Sequence, residues 1–447
     1  MIFPSFRRAA SRLVFSLEEK ASFLRLLALG GPVMGGIFFA VSLSAMDIWY
    51  ISLLGSEPLE AVSFALPVML AVSHGLMGLG TGVTVTIAHY LGAGRRARAS
   101  RAARNVVLMA VALSALLAWA GIVSIGPLFS ALGAQERHMG YLSDFMVPWY
   151  SLCVPALAGM TLANAVLRGC ENTATPARAM GVAALINGVA DPLFIFGWGP
   201  IPGHGVQGAA LATAFALMVG CLWALAAARV ALPKPDKAFG TRLRDVRDVF
   251  FVGFPAMTSQ LFPPLAQLFV TSLLGRGVGG AAVAGYGLAM RVETLALVFF
   301  MGLSVAVNID AARKFGANDV DGLATLRRTF LKASFWAGGA ILALLWLCAW
   351  LLMPHMAPNE NITQAARDYL CIGSLGVGAV GACICSSSFL NAARRPGPAL
   401  GLYALRCAVL LWPLACLGKY YAGHEGAFAG MAAANFLTAI VAVRWMR

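Results

Sequence analysis

Asn187 and Asp191 stand four residues apart in an apolar run, 184–196, that is long enough to lie inside a membrane. Residues four apart share one face of a helix, so the amide and the carboxylate would point in the same direction. Pro192 follows directly, and because proline lacks an N–H the carbonyl of Gly188 would lose its helical partner. An ionised Asp at the centre of a membrane helix costs about 2.5–3.5 kcal/mol, and such residues mark functional sites by default. The pattern predicts a binding site for a cation or a proton.

An Asp-Pro pair also favours the start of a helix, with Asp191 as the N-cap and Pro192 at the first helical position. In that interpretation Asp191 only caps a broken helix. The predicted depth in the membrane favours an ion site over a helix cap. Asp47, Asp191 and Thr213 each stand eight residues from a glycine at the predicted outer end of a span. This places all three at about 12 Å below the outer surface, where they can converge.

The composition excludes an ordinary soluble protein. Hydrophobic residues make up 60% of the 447 residues, charged residues only 12%, and the mean hydropathy is +0.78. Apolar runs, most of them longer than the roughly 20 residues that span a bilayer, recur along the whole chain. We count twelve, at 24–54, 59–91, 104–132, 144–168, 177–199, 206–230, 249–274, 281–312, 327–354, 366–393, 398–422 and 426–443. The chain is therefore predicted to be an all-α polytopic membrane protein with 12 transmembrane helices.

The net charge of +14 would suggest a nucleic-acid partner in a soluble protein, but its distribution has another explanation. Of the 33 Lys and Arg residues, 28 fall in segments that are cytoplasmic if the N-terminus lies inside. This is the positive-inside bias of a membrane protein. It predicts that both termini are cytoplasmic and that the chain binds no nucleic acid.

The two halves of the chain resemble each other at an offset of about 220–224 residues; for example, Met77-Gly78-Leu79 corresponds to Met301-Gly302-Leu303. Six spans return the chain to the same side of the membrane. The halves are therefore predicted to be two six-helix bundles related by a pseudo-two-fold axis along the membrane normal. The expected division is a cytoplasmic N-terminal arm at 1–25, an N-lobe at 26–231, a cytoplasmic linker at 232–248 and a C-lobe at 249–447.

The second half differs from the first in its charges within the spans. It has Trp412 before its proline, where the first half has Asp191. Its own charges are Arg291 and Glu293, which stand two residues apart and cannot face the same way on a helix. For each of them, structural pairing elsewhere and a functional role are both open.

The first span contains Pro32, which cannot donate to the carbonyl of Ala28 and so leaves a weakened turn. This turn is either a hinge that follows the state of Asp47 or a fixed kink for packing. Gly31 and Gly35 beside it should let a neighbouring helix approach closely.

Motifs over nearly the whole chain resemble those of the multidrug and toxic compound extrusion (MATE) family. The resemblance rests on the order and spacing of Pro32 with Asp47, Leu54-Gly55 with Ala61-Val62, Leu91-Gly92-Ala93-Gly94, Leu167-Arg168-Gly169, Asn187 to Asp191-Pro192, Gly208 to Thr213, and Gly253-Phe254-Pro255. The DinF-like branch of the family is the most similar. This similarity implies an N-lobe site for a cation or proton at Asp47, Asn187, Asp191 and Thr213.

Other branches of the family carry acids in spans seven and ten of the C-lobe. This chain has no acid at 260–264 in span seven or at 373–385 in span ten. A C-lobe cation site of that type is therefore not expected.

The resemblance implies a transporter rather than an enzyme. The expected function is export of small amphipathic or cationic compounds across a bacterial inner (plasma) membrane, by alternating access and in exchange for H⁺ or Na⁺. Two neighbouring carboxylates cannot both stay ionised cheaply, which suits a proton, whereas the oxygens of the four site residues could together hold Na⁺. The expected partners are a drug-like small molecule and the lipid bilayer, with no cofactor or metal centre beyond the coupling ion, and the chain is expected to be a monomer.

The alternative function is a flippase for lipid-linked precursors or other amphiphiles, built on a related architecture. A flippase would favour a basic cavity that binds phosphates. Arg291 is the only base that the sequence places within a span.

Overall fold

The computed structural model describes residues 15–198, 201–232, 243–275, 280–356 and 359–446. Eleven helices in these ranges are long and apolar enough to cross a membrane. They are α1 (Leu17–Ser52), α2 (Ser56–Gly92), α3 (Arg96–Ala131), α4 (Glu136–Gly169), α5 (Ala174–Phe196), α6 (Gly205–Ala231), α7 (Leu243–Gly275), α8 (Gly280–Ala317), α9 (Val320–Leu351), α10 (Glu360–Ala392) and the segment Pro396–Trp445.

The segment Pro396–Trp445 consists of two transmembrane helices. Ala422 and Gly423 have non-helical backbone angles, and φ of Gly423 is +61°, where glycine is favoured. A methyl group on Gly418 would lie only 1.9 Å from the carbonyl oxygen of Gly426, so the two sides of the break pack as an antiparallel hairpin. We name them α11 (396–421) and α12 (424–445). The described residues thus contain twelve spans, which confirms the predicted all-α fold class.

Several spans contain irregular turns that hydrophobicity alone does not reveal. A π-helical turn, Trp149–Cys153, interrupts α4, another, Leu405–Leu411, lies within α11, and a 3₁₀ turn, Gly373–Gly376, lies within α10. Between α5 and α6, the two-residue strands β1 (Gly197–Trp198) and β2 (Ile201–Pro202) form an antiparallel pair.

Helix α1 begins before the first apolar run because its start is capped by side chains. The amide of Ser16 donates to the Glu19 carboxylate at 2.8 Å, and the amide of Glu19 donates to the Ser16 hydroxyl at 3.2 Å. This reciprocal pair is a capping box. Residues 1–14 of the predicted arm and residues 233–242 of the predicted linker lie outside the described residues.

The chain forms two compact units by its internal contacts. The first unit is Gly35–Met257, and the second unit combines Met1–Met34 with Thr258–Arg447. The chain therefore passes from one unit to the other within α1 and again within α7. The first part of α1 was expected in the N-lobe but belongs to the second unit. The first part of α7 was expected in the C-lobe but belongs to the first unit.

In the second unit, the first part of α1 is held by charge and by close packing. Glu19 pairs with Lys332 of α9 at 2.6 Å, and Arg25 pairs with the buried Asp310 of α8 at 3.0 Å. Gly30 packs directly on Gly302, since a methyl group on Gly30 would lie 2.9 Å from the Gly302 carbonyl oxygen. The close approach thus occurs at Gly30.

In the first unit, the first part of α7 packs on α2. A methyl group on Gly82 would lie 2.4 Å from the carbonyl oxygen of Val249, so only glycine fits there. The hydroxyl of Tyr90 donates to Asp248 Oδ2 at 2.7 Å.

The expected close packing at Gly31 and Gly35 is wrong. A methyl group on either glycine would meet no atom within 4 Å in the described residues, whereas a methyl group on Gly36 would lie 3.3 Å from Ala177 Cα of α5. Gly30 and Gly36 each stand one residue from the predicted glycines, so each contact lies about 100° around the helix from the predicted position.

Candidate functional site

Asn187 and Asp191 form a buried hydrogen-bonded pair on α5. The Asn187 side-chain nitrogen donates to Asp191 Oδ1 at 3.0 Å, and Asp191 is only 1% exposed. Helix α5 runs without interruption from Ala174 through Pro192 to Phe196. The alternative interpretation of Asp191 as an N-cap is therefore wrong, because its side chain points into the bundle from the interior of a helix.

Asp47 of α1 brings a second carboxyl group to Asp191. The two carboxyl groups are close enough to interact directly with each other. Asp47 Oδ1 and Asp191 Oδ2 are both buried, and neither has a hydrogen-bond donor among the described residues. Buried carboxylate oxygens without donors are costly. A proton shared between the two groups, or a cation beside them, would remove that cost.

Thr213 of α6 lies at the same level of the bundle. Helices α5 and α6 pack antiparallel, with Gly208 against Phe194 at one point and Gly220 against Ala183 at another. This register places Thr213 at the level of residue 190 and so at the depth of Asp191. Its hydroxyl donates to the Ala209 carbonyl at 2.9 Å, so the oxygen retains lone pairs for a cation.

The structure therefore brings together Asp47, Asn187 and Asp191 in the first unit and places Thr213 at their depth. The donor set is made of oxygens: two carboxyl groups, the Asn187 amide oxygen and the Thr213 hydroxyl. Hard cations prefer oxygen ligands, so these residues fit Na⁺ as well as H⁺.

Glu293, a secondary candidate, is engaged inside the second unit. It is 6% exposed and accepts a hydrogen bond from the Tyr369 hydroxyl at 2.5 Å, across from α8 to α10. The Arg406 guanidinium is close enough to attract the Glu293 carboxylate, and its Nε donates to Asn435 Oδ1 at 2.8 Å. Glu293 thus belongs to a polar network that links α8, α10, α11 and α12.

The prediction that Arg291 is the only base within a span is wrong, because Arg406 also lies within one. Arg406 lies in the π-helical turn of α11, about ten residues from its start, which corresponds to about 15 Å along the helix. Its position inside the apolar run 398–422 could have identified Arg406 from the sequence as a base within a span. Its partners could not be read there, because Asn435 is 29 residues away.

Arg291, on the other face of α8, contacts an open cleft. The cleft has a volume of about 510 Å³ and is lined by Arg291 together with Gln267, Gly287, Thr294 and other residues of the second unit. Among the described residues, Arg291 has no ion-pair or hydrogen-bond partner. Within the described residues the two candidates thus differ, since Glu293 has a hydrogen-bond partner and Arg291 has none.

A group of metal-ligand types that the sequence did not predict lies near the α11–α12 turn. Asp368, His424 and Glu425 each offer a ligand atom, and these atoms lie within 4.8 Å of one another. His424 Nε2 is 2.9 Å from Asp368 Oδ2, so the pair is held together without an ion. The group was missed because Asp368 stands 56 residues before His424.

The twelve described spans, together with a buried polar site in the first unit that suits a small cation, define a multi-pass membrane protein of the transporter class. The model of the MatE family matches residues 32–193 and 255–417, which together are more than half of the chain. The chain belongs to the MatE family, as its motifs predicted. Members of this family are membrane transporters, so the chain is a transporter and not an enzyme.

Several relatives support this assignment. The chain is 30% identical over 422 residues to the FAD transporter of Shewanella oneidensis, which covers 93% of this chain and 92% of that protein. It is 30% identical over 314 residues to the probable multidrug resistance protein NorM of Deinococcus radiodurans, covering 68% of this chain and 66% of that one. The crystal structure of the Vibrio cholerae MATE transporter VcmN in the bent form matches with a TM-score of 0.90 at 26% identity, over 96% of this chain and 97% of that chain.

Proposed function

We propose that this protein is a cation-coupled antiporter that exports small amphipathic molecules by alternating access. The observation that carries the proposal is the contact between Asp47 and Asp191, whose buried oxygens lack donors among the described residues. A transporter needs a group whose interactions differ between two states, because a ligand shifts an equilibrium only by its differential affinity. Two carboxyl groups from different helices provide such a group.

Protonation or Na⁺ binding would couple the helices that carry the acids. With a proton or cation between them, Asp47 and Asp191 attract each other and hold α1 against α5. Without it, two ionised carboxylates at this distance repel, and in a low-dielectric interior that repulsion is strong. Loading of the site therefore favours the packed arrangement of α1, and unloading favours release of α1. Because one chain carries the whole site, a monomer is sufficient.

The direction of export rests on the predicted topology, with both termini in the cytoplasm of a bacterial cell and the chain in its inner membrane. In that orientation the site is in the outer half of the bilayer. Cations that enter from outside would load the site and expel substrate outward.

Transport in proteoliposomes tests the proposal. The purified protein is reconstituted into vesicles loaded with ethidium, and pH and Na⁺ gradients are imposed independently of each other. We expect at least one inward cation gradient to accelerate dye efflux above the rate at equal concentrations. If neither gradient changes the efflux rate of a substrate that the protein does transport, the antiport proposal is wrong.

A second candidate function is export of a flavin nucleotide. The relative from Shewanella oneidensis that matches nearly the whole chain is named an FAD transporter, and FAD carries negative phosphates. Arg291 lies at an open cleft and has no ion-pair partner among the described residues, which favours such an anion over a purely cationic substrate. Release of FAD from loaded proteoliposomes, followed by its fluorescence, tests this candidate. If FAD stays inside while ethidium leaves, flavin export is excluded.

A further inference from the structure

The cleft beside Arg291 combines a positive charge with polar and apolar walls. Its volume of about 510 Å³ lies within the roughly 300–1,000 Å³ of small-molecule sites. Gly287 and Thr294 stand four residues before and three residues after Arg291, so all three share one face of α8. A methyl group on Gly287 would meet nothing within 4 Å in the described residues, so space is open beside the guanidinium. Gln267 of α7 adds a side-chain amide to the lining.

The charge of Arg291 is not neutralised by the acid that stands nearest in sequence. Glu293 is two residues away, so it lies on the opposite side of the helix, where the Tyr369 hydroxyl holds it. The Glu293 carboxylate is also attracted by Arg406, which supplies the compensating charge inside the bundle. The Thr294 hydroxyl donates to the Met290 carbonyl at 2.7 Å. Among the described residues, the Arg291 guanidinium is therefore a charged donor group in this cleft that has no acceptor.

We propose that this cleft binds the phosphate group of an amphiphile through the Arg291 guanidinium. A planar guanidinium with several donors matches phosphate oxygens, and charge-assisted bonds of this type are about twice as strong as neutral ones. The apolar part of the amphiphile would lie along Leu288 and Met290 on the cleft wall. The phosphate comes either from a soluble nucleotide or from a lipid headgroup. The proposal rests on the proposed function only in identifying the amphiphile with the exported molecule.

Binding of three flavins to the purified protein in phosphatidylcholine nanodiscs tests the inference. FAD, FMN and riboflavin share one fluorescent ring system and differ in their phosphate groups, so the phosphate contribution is read directly. In the wild type we expect FAD and FMN to bind about tenfold or more tightly than riboflavin. Arg291→Gln should remove this preference and leave the affinity for riboflavin unchanged, and Arg291→Lys should keep part of it. The matched control Arg444→Gln changes an exposed arginine at the end of α12 and should bind as the wild type does.

A second variant keeps the charge and removes the space. Gly287→Leu should fill the cleft and weaken binding of FAD although Arg291 remains, which tests the site even if the arginine variants unfold.

A second set of nanodiscs, containing phosphatidylglycerol, separates the two sources of phosphate. The site binds a lipid headgroup if phosphatidylglycerol displaces the flavins from the wild type but not from Arg291→Gln. The same conclusion follows if the protein retains this lipid only when Arg291 is present and binds no flavin.

The inference is overturned if Arg291→Gln keeps the full preference for phosphorylated flavins and binds phosphatidylglycerol as the wild type does. It is also overturned if that variant weakens binding of all three flavins equally. Asp47→Asn separates this result from the antiport proposal, since it should lose cation-driven efflux and keep the phosphate preference. If the phosphate preference does not depend on Arg291 while cation-driven efflux is intact, the phosphate site is refuted and the antiport proposal is not.

Discussion

The side-chain nitrogen of Asn187 donates to Asp191 Oδ1, 3.0 Å away and one turn further along the same helix. This bond fixes the orientation of the carboxyl group and leaves Asp191 Oδ2 without a donor among the described residues. Asn187 thus positions the acid and leaves its second oxygen for a proton or cation.

Asn187→Leu tests this positioning role. The change preserves the approximate volume but removes both the donor and the amide oxygen. A hydrogen bond to a charged group contributes about 1.5–3 kcal/mol, so we expect about a 10- to 100-fold loss of cation-driven efflux. The measurement is dye efflux from proteoliposomes at matched protein content, with Asn361→Leu, an exposed amide on α10, as the control. An unchanged rate in Asn187→Leu would show that Asp191 is positioned without it.

Glu293→Gln tests whether the ion site lies in the first unit or in the second. The glutamine oxygen can still accept from Tyr369, so we expect folding to persist and cation-driven efflux to fall much less than in the Asp47 or Asp191 variants. Tyr369→Phe should instead lower the free energy of unfolding by about 1–3 kcal/mol, because it removes a donor from a buried carboxylate. Thermal unfolding of the purified proteins measures the second effect. Complete loss of coupling in a well-folded Glu293→Gln would place the ion site in the second unit.

Pro32→Ala tests whether the first helix bends at its proline. Pro32 stands within α1, two residues before the chain passes from the second unit to the first, and about 22 Å along the helix from Asp47. Alanine restores the missing hydrogen bond and should favour one straight conformer. Spin labels at the exposed Val41 and Leu185 should report a distance change with pH or Na⁺ in the wild type and a smaller one in Pro32→Ala. If the variant retains the full distance change and full transport, Pro32 is a fixed packing feature.

Much of the fold was readable from the sequence because the membrane limits the choices. Apolar runs of sufficient length must be helices, since every backbone group needs a partner within lipid. The i, i+4 spacing of Asn187 and Asp191 also fixed their shared face before any tertiary contact was known. The start of α1 was readable too, since Ser16 and Glu19 have the spacing of a capping box, but it was missed among the basic residues of the arm.

What the sequence could not show depends on contacts between distant residues. The partner of Glu293 is Tyr369, 76 residues away, and a hydrogen bond over that separation leaves no local pattern. The close contacts of α1 lie at Gly30 and Gly36, each one residue from the predicted glycines, and the sequence could not show this because the contacts depend on Gly302 and Ala177, which are distant in the chain. The change of unit within α1 and α7 likewise follows from packing and not from hydrophobicity.

The central claim is that Asp47 and Asp191 form one ion site, and a double-mutant cycle of cation-driven efflux tests it most directly. Residues that act as a unit give non-additive losses. Asp47→Asn and Asp191→Asn should each reduce efflux driven by a pH or Na⁺ gradient to the same residual rate above the protein-free leak, and the double variant should keep that rate. The exposed-acid control Asp144→Asn should behave as the wild type. Gradient-driven efflux that persists at the wild-type rate in both single variants, with normal amounts of folded protein in the membrane, would contradict the claim.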